Sequence, residues 1–354
     1  MAAVLLTTAS GGLSGQYQKY FDKKLLTQVL QLLVMDQFGQ IRSLPPNMGA
    51  LTVRFTRPDS PKVGGTTINT SGVYTLSEGV PLANDRDYTF TFIDATCSQI
   101  GEKMRISDIL GATNLFDTLQ NASKVLGQDA AHYYDFAITT EVIAGTQAFG
   151  AGARVYAGGA ANYAALKALT GVTGKIVIAD IFRAFTRLTI ARAPQASASE
   201  RAPKARGGTY VAVTPPQVLF DLEQDQKFID AGTRGTSEGL FTGEMGTWYG
   251  TRIIRGTQPW NEFATEGTYD PNIVYDNTTA TGSILSTICM GSEMFGVVSL
   301  ASQSITSPKL IVVNTPDKSD QLNQFTGVGW KAFFVVKTLK GDWAQIVRSK
   351  TSYS

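Results

Sequence analysis

Side-chain catalysis needs a nucleophile, a base and a group that orients the base. The chain offers one histidine, His132, beside Tyr133 and Tyr134 in a stretch of helical spacing. A histidine in that setting is expected at the edge of a helix interface, and no nucleophile is legible around it. A soluble α/β hydrolase or transferase built on a glycine-elbow serine needs a histidine and an acid after the serine, whereas His132 precedes the α/β part of the chain. Phosphate-cradling loops fail as well. Gly150 and Gly152 open a Gly-x-Gly, but Val155 stands where a third glycine belongs and no strand leads into the run. Gly174-Lys175 is followed by Ile176, where a nucleotide loop places Ser or Thr to hold magnesium, and no glycine stands five residues before Gly174.

Asp221, Glu223 and Asp225 alternate on a predicted helix, so they point in different directions and do not converge on one cation; a solvated face is expected. Cys97 and Cys289 lie far apart without zinc or redox spacing and read as two buried free thiols. Arg201, Lys204 and Arg206 occupy a loop rich in Ala, Pro and Ser, where three scattered charges keep a loop hydrated more readily than they grip DNA. Trp248, Trp260, Trp330 and Trp343 fall in or beside strands and turns, as core or interface anchors. The residues therefore assemble no catalytic, cofactor-binding or metal-ligating set.

The elements that carry them belong to a chain of 354 residues, 43% hydrophobic and 17% charged, long enough to bury one large core or two medium ones. Its 35 glycines, with abundant Thr, Ser, Ala and Val, favour extended segments and tight turns, hence a mixed α and β class. Basic residues number 31 against 29 acidic, so no global field gathers polyanions or holds an anionic membrane. Met1 to Leu6 lacks a basic n-region and its apolar run stops at Thr7, which leads to the expectation of cytoplasmic synthesis without a leader. No run of about 18 apolar residues is present to span a bilayer. The Asn-x-Ser/Thr triplets at Asn69, Asn121 and Asn277 then carry no glycosylation meaning.

Apolar residues at Phe21, Leu25, Val29 and Leu32 predict a short amphipathic helix from Tyr17 to Phe38, closed by Gly39, after a small, polar arm. Residues 50 to 107 change period. Leu51, Val53 and Phe55 alternate with Thr52, Arg54 and Thr56, and Tyr88, Phe90 and Phe92 alternate with Thr89 and Thr91, predicting two long strands. The glycine- and proline-rich segment between them is too long for a tight turn, so the pair reads as an excursion from the body. An isolated hairpin is marginal in water and must rest on another surface, expected to be another subunit. Ser107 and Asp108 mark a helix start. Leu115, Leu119, Ala122, Leu126, Ala130, Tyr133 and Ala137 then predict the longest helix, roughly 40 Å if it runs from Leu115 to Ile143, stopped by Gly145, Gly150 and Gly152.

From Lys175 the order is helix (Ala179 to Arg192), loop (193 to 208), strand (Tyr210 to Thr214) and helix (Pro216 to Ala231), a compact α/β unit with Pro215 and Pro216 suited to a first helical turn. Asn261 to Gly282 is polar and reads as a surface insertion. Ser283 to Met290 and Leu310 to Val313 are strand-like. Trp330 to Lys337 and Trp343 to Arg348 are expected to close the chain as a hairpin pinned into a sheet.

Four runs stand in order along this walk: Leu76-Ser77-Glu78-Gly79-Val80-Pro81, then Gly101-Glu102-Lys103-Met104-Arg105-Ile106-Ser107-Asp108 leading into the long helix. Phe241-Thr242-Gly243-Glu244-Met245-Gly246-Thr247-Trp248-Tyr249-Gly250 and Gly329-Trp330-Lys331-Ala332 follow. In order and spacing, from about Leu51 to Arg348, the chain resembles the N4-like branch of tailed-bacteriophage major capsid proteins with the Hong Kong 97-like fold. The resemblance implies an α+β fold with an N-terminal arm (about 1 to 48), an extended β loop (about 49 to 104) and a peripheral domain carrying the spine helix (105 to 174). An axial α/β domain (about 175 to 320, insertion about 261 to 282) follows, and C-terminal strands (321 to 354) return to the peripheral domain.

The resemblance also implies a structural protein, with no enzymatic activity and no cofactor, that self-assembles into hexamers and pentamers of an icosahedral head around double-stranded DNA. Scaffold, portal and decoration proteins are implied partners, with non-specific contact to packaged DNA and none to a membrane, and the virion as its location. Assembly contacts are expected at Lys62, Gly64, Gly65, Gly72, Glu78, Arg105 and Trp248, the glycines letting the loop bend between immature and expanded shells. Some members of the fold cross-link a loop lysine to a neighbour's asparagine; nothing here identifies a partner or catalytic acid for Lys62, so no cross-link is expected. An encapsulin-type compartment shell is the alternative reading of the same fold.

Overall fold

A computed structural model describes residues 33–44, 51–58, 62–63, 67–68, 78, 90–113, 118–195, 210–226, 244–248, 251–256, 260–276, 278, 281–300, 309–313, 322 and 324–353. Among these the chain forms β1 (Gln40–Leu44), β2 (Thr52–Pro58), β3 (Lys62–Val63), β4 (Thr67–Ile68), β5 (Phe90–Thr96) and β6 (Ser98–Ser107). Helices α1 (Asp108–Thr113) and α2 (Thr118–Phe149), β7 (Arg154–Tyr156), α3 (Tyr163–Ala168), α4 (Ile178–Ile190), β8 (Tyr210–Thr214) and α5 (Pro216–Glu223) come next. The remainder is strand: β9 (Glu244–Trp248), β10 (Thr251–Arg255), β11 (Asn261–Glu262), β12 (Ile284–Met290), β13 (Phe295–Leu300), β14 (Lys309–Val313), β15 (Phe325–Thr338) and β16 (Ala344–Ser349).

The long helix exists and is longer than its apolar spacing suggests. At 32 residues α2 spans about 48 Å. Its buried residues include Leu126, Ala130, Tyr134, Ile138 and Val142, one stripe at four-residue steps. Ser107 Oγ accepts the Leu110 amide at 3.3 Å, so the expected helix start is real, but it opens the separate helix α1. Gly145 does not stop the helix. A Cβ there would lie 2.5 Å from Thr338 Cβ, so the glycine lets β15 approach, and Thr338 Oγ1 donates to the Glu141 carbonyl at 2.9 Å. The turn out of the helix falls at Gly150, whose φ of 120° suits glycine.

Two sheets flank this helix. In the first, among the described residues, the strand order is β1-β13-β15-β14, with β6 also paired to β15 along Phe325↔Ser107 to Phe334↔Ser98. Alternate residues of β15 (Val328, Trp330, Ala332, Phe334 and Val336) are buried in the core with the stripe of α2. The second sheet has the order β7-β16-β12-β8-β10-β9, with β11 added to β12. Its strands β8, β12 and β16 are buried on both faces, and the period of two sorts the residues of the sheet. Val211, Val213, Ile254, Ile288, Met290 and Ile346 join the core of α2, while Tyr210, Ala212, Ile253, Leu285, Cys289 and Val347 join a second core under α4 and α5.

Several expectations are corrected. The two C-terminal runs are no hairpin: β15 lies in the first sheet and β16 in the second, antiparallel to β12 and parallel to β7. The 3-10 turn Met35–Phe38, not an α-helix, ends the segment expected to be helical to Phe38, and residues 17–32 lie outside the described residues. The last predicted helix is described as α5 only to Glu223. Asn261 to Gly282 is not wholly a surface insertion, since Asn261 and Glu262 are fully buried beside β12. Asp221 and Asp225 do not form a solvated face: buried Asp221 accepts the Ser352 amide, and Asp225 accepts the Ile178 amide at 3.1 Å. Strands β1 and β13 had no counterpart in the reading of the sequence.

Candidate functional site

The described residues contain no group of three His, Cys, Asp or Glu side chains able to hold a metal, and no helix long and apolar enough to cross a membrane. His132 is half-buried on α2, and its Nδ1 is buried without a hydrogen-bond partner among the described residues. The sequence contains one Gly-x-Ser-x-Gly run, Gly235-Thr236-Ser237-Glu238-Gly239, outside the described residues; with no histidine after it, the hydrolase order cannot be completed. Cys97 and Cys289 are both buried free thiols, and burial pushes the Cys289 thiol up to about 12. What the fold does bring together is surface and support for surface, in three places.

The first is the ribbon of β2 and β5, paired from Thr52↔Thr96 to Pro58↔Phe90. Period two divides it. Phe55 and Ala95 face inward onto Cys97, Val298 and Leu339, with Val53 and Ile93 packed around them. Phe55 lies so close to β13 that a Cβ on Gly296 would sit 2.6 Å from its ring. Arg57 locks the root, donating to the Leu339 carbonyl at 2.9 Å with its guanidinium 5.4 Å above the Trp343 ring. Outward, Phe90 and Phe92 are 45% and 57% exposed with ring centroids 6.3 Å apart, and Arg54 sits over Phe92 while pairing with Asp94 at 2.7 Å. Adjacent exposed aromatic rings on a two-stranded ribbon are apolar area that water disfavours.

The second is the face of β6, β15 and β14 that points away from α2. Cross-strand rows read Gly101, Lys331, Lys309; then Lys103, Gly329, Ile311; then Arg105, Gly327, Val313. Two glycines on β15 leave a trough of about 720 Å³ between a basic wall on β6 and an apolar wall of Ile311 and Val313.

The third is a buried ionic support. Arg348 on β16 is fully buried and donates through Nε and Nη2 to both oxygens of equally buried Glu262, at 2.8 and 3.0 Å. Its Nη1 lies 3.0 Å from Glu266, whose carboxylate also accepts from Arg154 at 3.2 Å and from the Tyr156 hydroxyl at 2.8 Å. Trp260 Nε1 donates to Glu262 at 3.0 Å, and Gln147 on α2 reaches the Glu266 carbonyl at 3.0 Å. The network thus ties the 260–267 segment to β16, β7 and the long helix. No motif signalled it, because its members lie far apart in sequence.

Of the residues expected to make assembly contacts, Arg105 is exposed on the basic wall of the trough and Glu78 is exposed in a turn. Lys62 lies in β3 and Trp248 in β9, opposite Thr251 of β10, with their side chains outside the description. Gly64, Gly65 and Gly72, like Arg201, Lys204 and Arg206, lie outside the described residues. Trp260 and Trp330 are buried core anchors.

No family model and no curated protein matches the sequence. Solved structures do. The chain superposes on the capsid of cyanophage P-SCSP1u with a TM-score of 0.58 at 16% identity, covering 91% of this chain and 89% of that one. The chain has the fold of a phage capsid subunit. Two further structures agree: the capsid of Ralstonia phage GP4, TM-score 0.59 at 12% identity over 91% and 92% of the chains, and the capsid asymmetric unit of cyanophage Pam1, 0.59 at 13% over 90% and 89%. The mixed α+β class is shared with these phage capsid folds, and identities this low mean that the fold persists while most side chains differ.

Proposed function

We propose that this chain is the major capsid protein of a tailed bacteriophage, a Hong Kong 97-like subunit that assembles into hexamers and pentamers of an icosahedral head around double-stranded DNA. The observation that carries this reading is a phage-capsid fold spanning about nine-tenths of the chain. It is supported by a ribbon on which Phe90 and Phe92 are 45% and 57% exposed. On this reading residues 1–48 are the arm, 49–104 the extended loop, 105–174 the peripheral domain around α2, and 175–320 the axial domain. The remaining residues supply the C-terminal strands. The protein is structural, works in the virion after synthesis in the host cytoplasm, and needs no cofactor.

Assembly follows from ordinary interface physics. Each subunit lays its ribbon over a neighbour and its arm beneath another, in heterologous contacts that close into rings. A single contact contributes little net free energy after association entropy, and repetition makes the shell stable because each incoming subunit meets several partners already in place. Lys62, Gly64, Gly65, Gly72, Glu78, Arg105 and Trp248 are the proposed contact and hinge residues; scaffold, portal and decoration proteins are proposed partners, and no covalent cross-link forms through Lys62.

Negative-stain microscopy of the chain, expressed alone and with neighbouring phage genes, is expected to show shells, tubes or rings of six. A monodisperse monomer under every condition overturns the proposal. Nuclease-protected DNA inside particles made during infection is expected; protein cargo in its place favours a compartment shell. A ladder of multimers surviving boiling in denaturant contradicts the absence of cross-links.

A further inference from the structure

Beside the buried ionic support lies an open cavity of about 620 Å³, bounded by β7, the start of α3 and one face of α4. Three arginines line it: Arg154 from β7, and Arg183 and Arg187, one turn apart on α4. Its carboxylate, Glu266, is already engaged by Arg154, Arg348 and Tyr156. Arg183 uses Nη1 on Asp180 at 3.0 Å while its side chain stays 58% exposed. Exposed Arg187 turns Nη1 to the carbonyls of Gly152 and Arg154. Each guanidinium carries five N–H donors, so several remain for a ligand. Two atoms of the lining residues, Arg154 Nε and the Tyr163 hydroxyl, are shielded from solvent and have no hydrogen-bond partner among the described residues. Burial and the nearby Glu262 carboxylate raise the Tyr163 pKa, so its hydroxyl keeps its proton at neutral pH.

A cavity whose spare groups are donors, and whose one acidic side chain is saturated, selects a ligand made of acceptors. From this geometry we infer that the cavity binds a phosphate group, held by Arg183 and Arg187 with Tyr163 donating a third hydrogen bond. Guanidinium forks match phosphate oxygens, and a buried hydroxyl left unpaired in the free protein gains a partner when the anion enters. The cavity exceeds one phosphate, which leaves room for a phosphodiester of nucleic acid as well as for the free ion. The inference goes beyond shell formation and stands or falls separately from it.

The test uses the full chain and two probes, inorganic phosphate and a 5′-labelled DNA duplex of about 20 base pairs, each against sodium chloride of matched ionic strength. Phosphate at a hundredfold excess over its Kd is expected to raise the unfolding midpoint by at least about 2 °C beyond the chloride control. Tyr163→Phe removes no charge and only an unpaired hydroxyl, so it is expected to leave the ligand-free midpoint unchanged or higher while weakening phosphate about tenfold. Arg183→Ala weakens it further, whereas Lys309→Ala with Lys331→Ala, which removes two charges from the distant trough, leaves phosphate affinity unaltered. If duplex DNA is the source, an Arg183→Ala, Arg187→Ala variant flattens the salt dependence of its binding by about two in log–log slope; an unaltered slope, with phosphate protecting the parent but not this variant, assigns the site to the free ion. Protection no greater than chloride gives, or equal phosphate affinity in the parent, Tyr163→Phe and Arg183→Ala, overturns the inference.

Discussion

Arg348 shows how much one side chain can hold in place. It is fully buried with Glu262, and with Glu266 it joins three strands to the long helix. Removing one partner of such a pair leaves an uncompensated buried charge, so Arg348→Met is expected to destabilise the folded chain by about 3–5 kcal/mol, measured by denaturant unfolding. Adding Glu262→Gln should restore part of that loss, because the stranded charge is then gone. Cys289 gives a second prediction. Burial raises its thiol pKa to about 12, so the folded state holds a proton that the unfolded chain releases above its ordinary value of 9.0. Its contribution is complete below about pH 9 and falls as pH rises, by about 1.4 kcal/mol per unit until the folded value is reached. The difference in stability between the parent and Cys289→Ala should therefore shrink with that slope from about pH 9, and an unchanged difference would refute it. Both cysteines were legible in the sequence as buried thiols, since neither has a partner at useful spacing. The acidic triple was misread: Asp221 and Asp225 hold backbone amides that spacing along one helix cannot reveal.

At the scale of elements, the ribbon is held by its root. Phe55 is 3% exposed and lies over Gly296. Gly296→Ala would drive a methyl group into that ring, at a cost of about 1–3 kcal/mol. The ribbon should lift from β13 before the core gives way, which hydrogen exchange of Val53–Arg57 against β12 would record as faster exchange confined to the ribbon. Equal acceleration in both strands would mean that the root and the core unfold together. Alternation in Leu51 to Thr56 announced β2 and its packed face, Val53 and Phe55, whereas in Tyr88 to Phe92 it announced the strand but not its face, since Phe90 and Phe92 are exposed and Ile93 and Ala95 pack inward. The long helix announced itself in the same way through its stripe. Its end did not, since Gly145 serves the approach of Thr338 and that contact joins residues nearly two hundred positions apart.

At the scale of the molecule, the proposed assembly covers the exposed rings of the ribbon. The double variant Phe90→Ser, Phe92→Ser removes two exposed rings and no core contact, so the isolated subunit should keep its circular dichroism and its unfolding midpoint within the change usual for surface substitutions, about 0.5 kcal/mol. Shells and rings should be lost under conditions where the parent assembles, as sedimentation and microscopy would record. Shells formed as readily as by the parent would show that the ribbon's outer face is not a contact.

The sequence by itself determined the mixed α and β class, the long helix, the strands β2 and β5 and the strands 210–214 and 284–290, because each rests on periodicity within a few turns or strides of chain. Only the tertiary structure decided that the last two strands part into different sheets, that β1 and β13 pair in parallel, and that Glu262 and Glu266 inside a polar segment become the buried partners of Arg348. Those choices depend on pairing free energies between segments up to hundreds of residues apart. A local pattern records which face of a strand is apolar, but not which neighbour covers it.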